Sequence, residues 1–470
     1  MFWCIKSKIK IMKFLKQVLR SFLIFAIISS CTLEPKYNRP KLDLPFKQPE
    51  VPKEKITTIS WERFFESEDL QRIIKLALKN NRDLKIANLN IEAVEATHSI
   101  ARANLLPSFN AQGLETRQRA PKAFASFTPK KQFRANVALA AYEIDFFGRL
   151  RSLKKSALEN FLASKQARNI TQISLISQVV NSYAQLLLDA EVLDIMKENL
   201  KLQNDRYNFI ELRYKNGIDS QDDLLNAKTL LENAKNNSEI YIKLVEQDKN
   251  ALMLLTGVFN ENSLPKISSI NDIKINEDLL DFIPSESLLS RPDIQQAEHQ
   301  LKSANANIGA ARAAFFPSIS LSGTYGYASR DLSSLFDSRT WAFTPQINIP
   351  IFSGGRNIAN LNIANLQKKI EIAQYEKTIQ TAFSEVLDQL AERKSVTNQL
   401  EAFDEILKAR EKSYKISKRK HNQGINSGLG VIDEKLSFLI AKQNQFSIKK
   451  EYIANLIALY KVLGGGSKIE

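Results

Sequence analysis

Two spacings organise this chain. In one stretch the seam positions Leu84, Ala87, Ile91, Val94, His98, Ala101 and Leu105 follow alternate steps of three and four. The same steps run through Ile294, Ala297, Leu301, Ala304, Ile308, Ala311 and Phe315, each 210 residues after its counterpart. A heptad seam predicts helices that pack lengthwise on neighbours, and alanine at alternate positions lets their axes approach closely. His98 stands where the second stretch has Ile308, so it reads as a packing position and not as a ligand. Both helices meet a proline stop, Leu105-Leu106-Pro107-Ser108 and Phe315-Phe316-Pro317-Ser318, which ends a helix and favours extended backbone before it.

Beyond each stop the period drops to two. Strands are predicted at about 109–119 and 133–145, and again at about 319–329 and 341–352. Phe133, Ala135, Val137 and Leu139 alternate with Arg134, Asn136 and small residues; Ile319, Leu321, Gly323, Tyr325 and Tyr327 alternate with Ser320, Ser322 and Thr324. Each stretch has the length of a tilted membrane strand. Phe124, Phe127, Phe133, Tyr325, Tyr327 and Trp341 lie near segment ends, where an aromatic girdle belongs. A soluble sheet with one wet face would show the same alternation, so the address at the N-terminus bears on the choice.

Phe147-Gly148-Arg149 and Ser353-Gly354-Gly355-Arg356 close the strand pairs and open long helices. From Leu150 to about Asn216 there is neither proline nor glycine, room for roughly 100 Å of helix at 1.5 Å per residue. These rods reverse at Gly217 and Gly424, 207 residues apart. Glycine supplies the stop, and Ser220 and Ser427 can cap the returning helices, which end at Gly257 and Gly464. One helix–strand-pair–helix unit is therefore written twice, over 61–257 and 285–466, with a linker at 258–284 and a tail at 467–470.

Residues 1–30 read as a signal peptide. Lys13, Lys16 and Arg20 precede a short apolar run, Phe22 to Ile28, too short to span a bilayer; either Met1 or Met12 can begin it. Ile28-Ser29-Ser30-Cys31 resembles a bacterial lipobox, in which Cys31 receives a diacylglycerol and, after cleavage, an N-acyl chain. Thr32 follows, a residue compatible with outer-membrane sorting. The Pro- and Lys-rich stretch 31–60 reads as an extended leash from lipid to body.

Composition narrows the chemistry. The formal net charge is +15, but six cations fall in the acid-free first 30 residues and the rest are scattered, unlike a nucleic-acid footprint. Only Cys4 and Cys31 are present, and Cys4 lies within the predicted signal. His98, His299 and His421 are far apart. These exclude a disulfide framework in the mature chain and a zinc cluster. No paired carboxylates, Ser/His/Asp set, P-loop or GxGxxG stands out, so no enzyme, cofactor or metal is expected. A four-stranded piece of sheet has two raw edges, which a membrane does not tolerate. Three copies would pool 12 strands into a closed barrel with an open lumen.

The residues also resemble a family. Arg291-Pro292-Asp293-Ile294 with Ala297-Glu298 and Ile308-Gly309-Ala310-Ala311-Arg312-Ala313-Ala314-Phe315-Phe316-Pro317 is similar to the signature of TolC-like outer-membrane efflux lipoproteins. So are Tyr142-Glu143-Ile144-Asp145-Phe146-Phe147-Gly148-Arg149, Pro350-Ile351-Phe352-Ser353-Gly354-Gly355-Arg356 and Leu459-Tyr460-Lys461-Val462-Leu463-Gly464, together with Pro35-Lys36-Tyr37-Asn38-Arg39-Pro40 after the lipobox. The resemblance implies a mainly α fold with β, a homotrimer with a 12-stranded outer-membrane barrel and a periplasmic helical barrel. It implies an exit duct for an RND-type inner-membrane pump and its periplasmic adaptor, the membrane fusion protein. By motif, Arg213, Gly217, Ser220 and Asp223 in the first turn, and Gly424 and Ser427 in the second, meet the adaptor. An acidic ring often lines the closed tip in this family; Asp219 holds that position in the first repeat and Asn426 in the second.

Two other readings fit parts of the pattern. An outer-membrane component of type I protein secretion shares the architecture, and a lipid-anchored coiled-coil scaffold explains the rods but not four strands placed alike in both repeats. Cys31→Ala is expected to abolish incorporation of radiolabelled palmitate; retained label places the acyl chain elsewhere.

Overall fold

The computed structural model describes residues 32–40, 60–119, 121, 130–260, 264–265, 269–280 and 288–465. The predicted signal peptide, Cys31, the tail 467–470, Phe124 and Phe127 lie outside the described residues. Helices α1 (Trp61–Phe64), α2 (Glu68–Asn80) and α3 (Arg82–Ala103) lead to strands β1 (Phe109–Arg117) and β2 (Lys131–Ile144). Then come α4 (Arg149–Lys215) and α5 (Gln221–Thr256). The second half repeats the order as α6 (Pro292–Ala313), β3 (Ser318–Ser329), β4 (Arg339–Asn348), α7 (Arg356–Asn422) and α8 (Gly428–Val462). The two rods, α4 and α7, are each 67 residues long. No described helix is long and apolar enough to cross a membrane.

Two compact units share these elements. One takes Asn90–Lys165, Gln296–Glu376 and the described residues 32–40; the other takes 166–295, 377–465 and the described part of 43–89. The first holds a four-stranded antiparallel sheet in the order β1-β2-β3-β4. β2 begins at Lys131, ahead of the expected 133, where it still pairs with Arg117. β4 stops at Asn348, short of the expected 352, because Pro350 has no N–H to donate to a ladder.

One irregularity keeps the sheet's faces in order. Between Leu139 and Tyr142 the register with β3 shifts by one residue, and Ala141 takes φ 34° there, a strain of about 1 kcal/mol for a non-glycine residue. Side chains alternate faces along a strand, so a one-residue slip exchanges them. The extra residue brings Tyr142 and Ile144 opposite Leu321 and Ile319, on the face that Val137 and Leu139 already occupy.

The second unit is built on an apolar core. Trp61, Phe64, Phe65, Leu70, Ile73 and Ile74 pack with Val179, Val180, Leu187, Leu252 and Tyr460, all nearly inaccessible. Each fully buried side chain of this size contributes about 2 kcal/mol. Phe64 stacks on Tyr460 with ring centroids 4.2 Å apart. The stretch between the repeats is more than a linker: Ile270 and Ile273 join this core, and Phe65 bridges to Ile275 as a one-pair ladder. Asn81 caps α3, its Oδ1 accepting from the N–H groups of Asp83 and Leu84 at 2.9 and 3.1 Å while its Nδ2 donates to Leu255 O at 2.9 Å.

Within the first hairpin of this unit two carboxyls meet. Burial, then the hydrogen bond and charge of Asp189, push Asp248 up to about 7; Gln185 donates to Asp189 at 3.1 Å. An acid whose folded value is raised favours the fold while protonated, and that contribution fades as pH climbs from its unfolded value, near 4, towards 7. Thermal unfolding of the purified protein is therefore expected at higher temperature at pH 5 than at pH 8. Asp248→Asn should narrow that gap by raising the pH 8 value; an unchanged gap would remove this pair as its cause.

Candidate functional site

The sheet separates its chemistry by face. Paired positions across antiparallel strands share a face, so Ala111, Val137, Tyr325 and Trp341 lie in one row and Gly113, Ala135, Tyr327 and Arg339 in the next. Phe109, Leu139, Leu321, Phe343 and Ile347 belong to the same apolar face. Several of these side chains are open in the single chain: Trp341 is 75% exposed and Ile347 62%. The opposite face carries Asn110, Gln112, Ser320, Ser322, Thr344 and Gln346. Sheets in water rarely expose their apolar face and satisfy the polar one; a membrane barrel wall does both. At the base of β2 the Glu143 carboxylate accepts two hydrogen bonds from Arg149, at 2.9 and 2.6 Å. Asp145 accepts from the N–H groups of Leu150 and Arg151, at 3.1 and 2.9 Å, and so caps α4.

The two rod reversals are the same turn with different side chains. In the first, Gly217 (φ 67°) donates to Tyr214 O and Ile218 to Arg213 O, both at 2.9 Å. In the second, Gly424 (φ 74°) donates to His421 O and Ile425 to Lys420 O, again at 2.9 Å. This is the paired C-terminal bond pattern that a left-handed residue permits, which accounts for glycine at both. Ser220 and Asp223 form a reciprocal cap at the start of α5, and the bonds from Ser220 hold the Asp223 carboxyl below its usual range. Ser427 accepts from Gly430 N at 3.1 Å, and with glycine there the reciprocal half is missing.

Asp219, expected at the tip as an acid, is bound within its own turn. Arg213 donates to both of its oxygens at 2.8 Å. The equivalent residues in the second turn are Lys420 and Asn426, which cannot form an ion pair; Asn426 instead donates to Ser417 Oγ at 2.7 Å. His421 Nδ1 lies 2.8 Å from Asn426 O. The residues singled out from the sequence are thus brought together within each turn: Arg213 with Asp219, Ser220 with Asp223, and Ser427 beside Asn426. Cys31 lies outside the described residues.

A further set escaped the sequence reading. The stretch expected to be a leash is extended over 32–40 but docked along α6, running antiparallel to it. Arg312 donates to Leu33 O at 3.2 Å; Asn305 Nδ2 donates to Glu34 Oε1 at 3.1 Å and Pro35 O at 2.8 Å; Lys155 reaches Glu34 at 2.8 Å. Tyr37, at 3.3 Å, and Arg39 both donate to Glu298. The lengths match: six extended steps from Leu33 to Arg39 cover about 20 Å, and fourteen helical steps from Arg312 to Glu298 cover about 21 Å. A Cβ on Gly309 would stand 3.0 Å from the Glu34 backbone and 2.5 Å from Ser152 Oγ, so glycine makes the approach possible. The counterparts in α3 are Asn88 for Glu298, Glu95 for Asn305 and Ser99 for Gly309, and none reproduces this groove. That comparison of repeats was the one signal for it.

Burial raises the Glu298 carboxyl, but hydrogen bonds from Arg39 and Lys302 outweigh it and hold the group below its usual value. A depressed acid contributes stability above its unfolded value and loses it as pH falls through the folded one. Docking of the strap is expected to hold at pH 7 and to loosen below about pH 4. Glu298→Gln should cost about 1–2 kcal/mol of docking at pH 7. Both outcomes are readable as faster proteolysis within 32–40. Asp219→Asn should release Arg213 and raise amide exchange in the first turn only; unchanged exchange there would mean that the ion pair does not hold the turn.

Comparison with known proteins places this arrangement. The family model described as "Outer membrane efflux protein" matches residues 73–258 and 283–465. The chain is 39% identical over 453 residues to the probable efflux pump outer membrane protein TtgC of Pseudomonas putida, covering 94% of this chain and 93% of that one. Its fold matches a crystal structure of a membrane protein from Pseudomonas aeruginosa with a TM-score of 0.83 at 33% identity, covering 93% of this chain and 98% of that one. It also matches the open state of the Neisseria gonorrhoeae MtrE outer membrane channel, with a TM-score of 0.82 at 33% identity, covering 93% and 99%. A two-faced sheet, duplicated rods and this likeness along nearly the whole length lead to one conclusion: the chain belongs to the outer membrane efflux protein family and is a TolC-like exit channel of the outer membrane that extends into the periplasm.

Proposed function

We propose that three copies of this chain close their sheets into one 12-stranded barrel and act as the exit duct of a tripartite efflux system. The observation that carries this reading is the sheet itself: one apolar face, one polar face, and strands β1 and β4 at its edges with no further partner among the described residues. In lipid those edges must pair, and β1 of one copy with β4 of the next is the closure that leaves none over. Apolar stripes on the helices support the same assembly. Ile86, Leu89 and Ile100 on α3, and Ile358, Ile363, Leu366 and Ile370 on α7, are all more than half exposed in the single chain. Ile86 and Leu89, and Ile363, Leu366 and Ile370, follow the three- and four-residue steps suited to a neighbouring helix.

In this reading the chain binds no cofactor and makes or breaks no bond in its cargo; it provides passage. Cys31 carries the diacylglycerol and N-acyl lipid, the unit 61–257 and the unit 285–466 are the two structural repeats, and 258–284 joins them. The turns dock a periplasmic adaptor through Arg213, Gly217, Ser220 and Asp223 in the first and Gly424 and Ser427 in the second. Asp219 and Asn426 mark the gate, with Asp219 acting as half of a pair that stiffens its turn. An inner-membrane pump of the RND type delivers the cargo. Relatives are named for antibiotic and toluene efflux, which favours small-molecule efflux over type I protein secretion.

Light scattering of the detergent-solubilised protein is expected to give three chains per particle, and planar bilayers to show ion conductance. A non-conducting monomer would sink the duct and support the scaffold.

A further inference from the structure

This inference rests on the reading of the sheet as a barrel wall with its polar face inward. That face is lined by hydroxyl and amide side chains. Among the described strand residues it carries one formal charge besides Glu143, which Arg149 holds at the base of the wall. The other charge is Arg134. It lies opposite Leu114 on β1 and Ala328 on β3, neither of them an acid, it is exposed, and its NH2 donates to the uncharged Gln132 at 2.9 Å. Glu115, on β1 opposite Phe133, points to the other face and is taken up there by Arg117 and Lys131.

We propose that Arg134 makes the strand-lined part of the duct favour anions, so that the wall weights cargo by charge. Three copies set three guanidinium groups at one height of the barrel, where a low-dielectric wall focuses their field into the lumen. Exposed Arg119 and Lys130 continue the same sign at the end of the hairpin. At the turns the Asp219 carboxylate is bound by Arg213, and the second turn has no acid between Glu411 and Asp433. Exposed Asp222 and Asp223 in the first turn have the uncharged partners Asn226 and Ser220, so the assignment is confined to the strand-lined part. Cargo bearing a carboxylate, sulfonate or phosphate would gain from this arrangement, and cationic cargo would not.

Reversal potentials in planar bilayers under a tenfold KCl gradient, with the dilute side near 10 mM, test the assignment. At that salt the field reaches about 30 Å, against about 3 Å at 1 M, so a charge effect must appear in dilute salt and fade in concentrated salt. Wild type is expected to pass chloride about twofold more readily than potassium. Arg134→Lys should keep that ratio, Arg134→Gln should bring it close to one, and Arg134→Glu should invert it. Each variant is first checked as a detergent-stable trimer, and the Lys and Glu variants alone decide the sign should Gln fail to assemble. Conductance with the same ratio in the Lys and Glu variants overturns this assignment and leaves the duct intact. A wild-type protein that conducts nothing overturns the duct, and the assignment with it.

Discussion

The backbone of β1 and β4 sets the terms for the rest of the structure. An edge strand of nine or ten residues turns roughly as many N–H and C=O groups outward. Each such group left unpaired in lipid costs several kcal/mol, so two bare edges outweigh the 5–15 kcal/mol by which a typical domain is stable. The sheet cannot stand in a membrane as a single copy. Its wide apolar face, the bulge that keeps Tyr142 and Ile144 on that face, and the open stripes of α3 and α7 are all consistent with a chain whose final surface is decided by its neighbours. The strain at Ala141 is small beside the cost of turning two large side chains into a polar lumen.

Duplication supplies the geometry, and divergence between the copies supplies the differences. The reversal turns keep the same backbone bonds at Gly217 and Gly424, but one turn ties its charges together through Arg213 and Asp219 while the other has Lys420 and Asn426 at those places. The seam helices α3 and α6 keep the same heptad spacing, yet α6 is buried along most of its length and α3 is not. The strap at 32–40 covers part of α6, at Glu298, Asn305 and Gly309. Glu298, Asn305 and Gly309 make room and polar partners for it on α6, and Asn88, Glu95 and Ser99 on α3 do not.

Local pattern made much of this legible beforehand. The seam positions from Leu84 to Leu105 are the least exposed of their helix, because a three–four step depends only on helical geometry. The turns announced themselves through glycine, whose left-handed conformation few other residues adopt. What the sequence could not show depends on distant partners or on a single residue of register. Nothing in Val137-Ala138-Leu139-Ala140-Ala141-Tyr142 marks a bulge; it exists because Leu321 and Ile319 on β3 must be matched. Pairing of Arg213 with Asp219 needed the turn's actual curvature. Docking of Arg39 on a residue 259 positions away has no local signature, so the stretch looked like a leash.

That last contact also carries a clock. The strap's whole groove lies on α6 and on the start of α4, and α6 is made some 270 residues after the strap itself. At 5–20 residues per second that interval is about 13–50 s. During it the N-terminal stretch has no surface on which to settle, and a seated strap therefore reports that the second repeat has formed. The beginning of this chain is among the last parts of it to find its place.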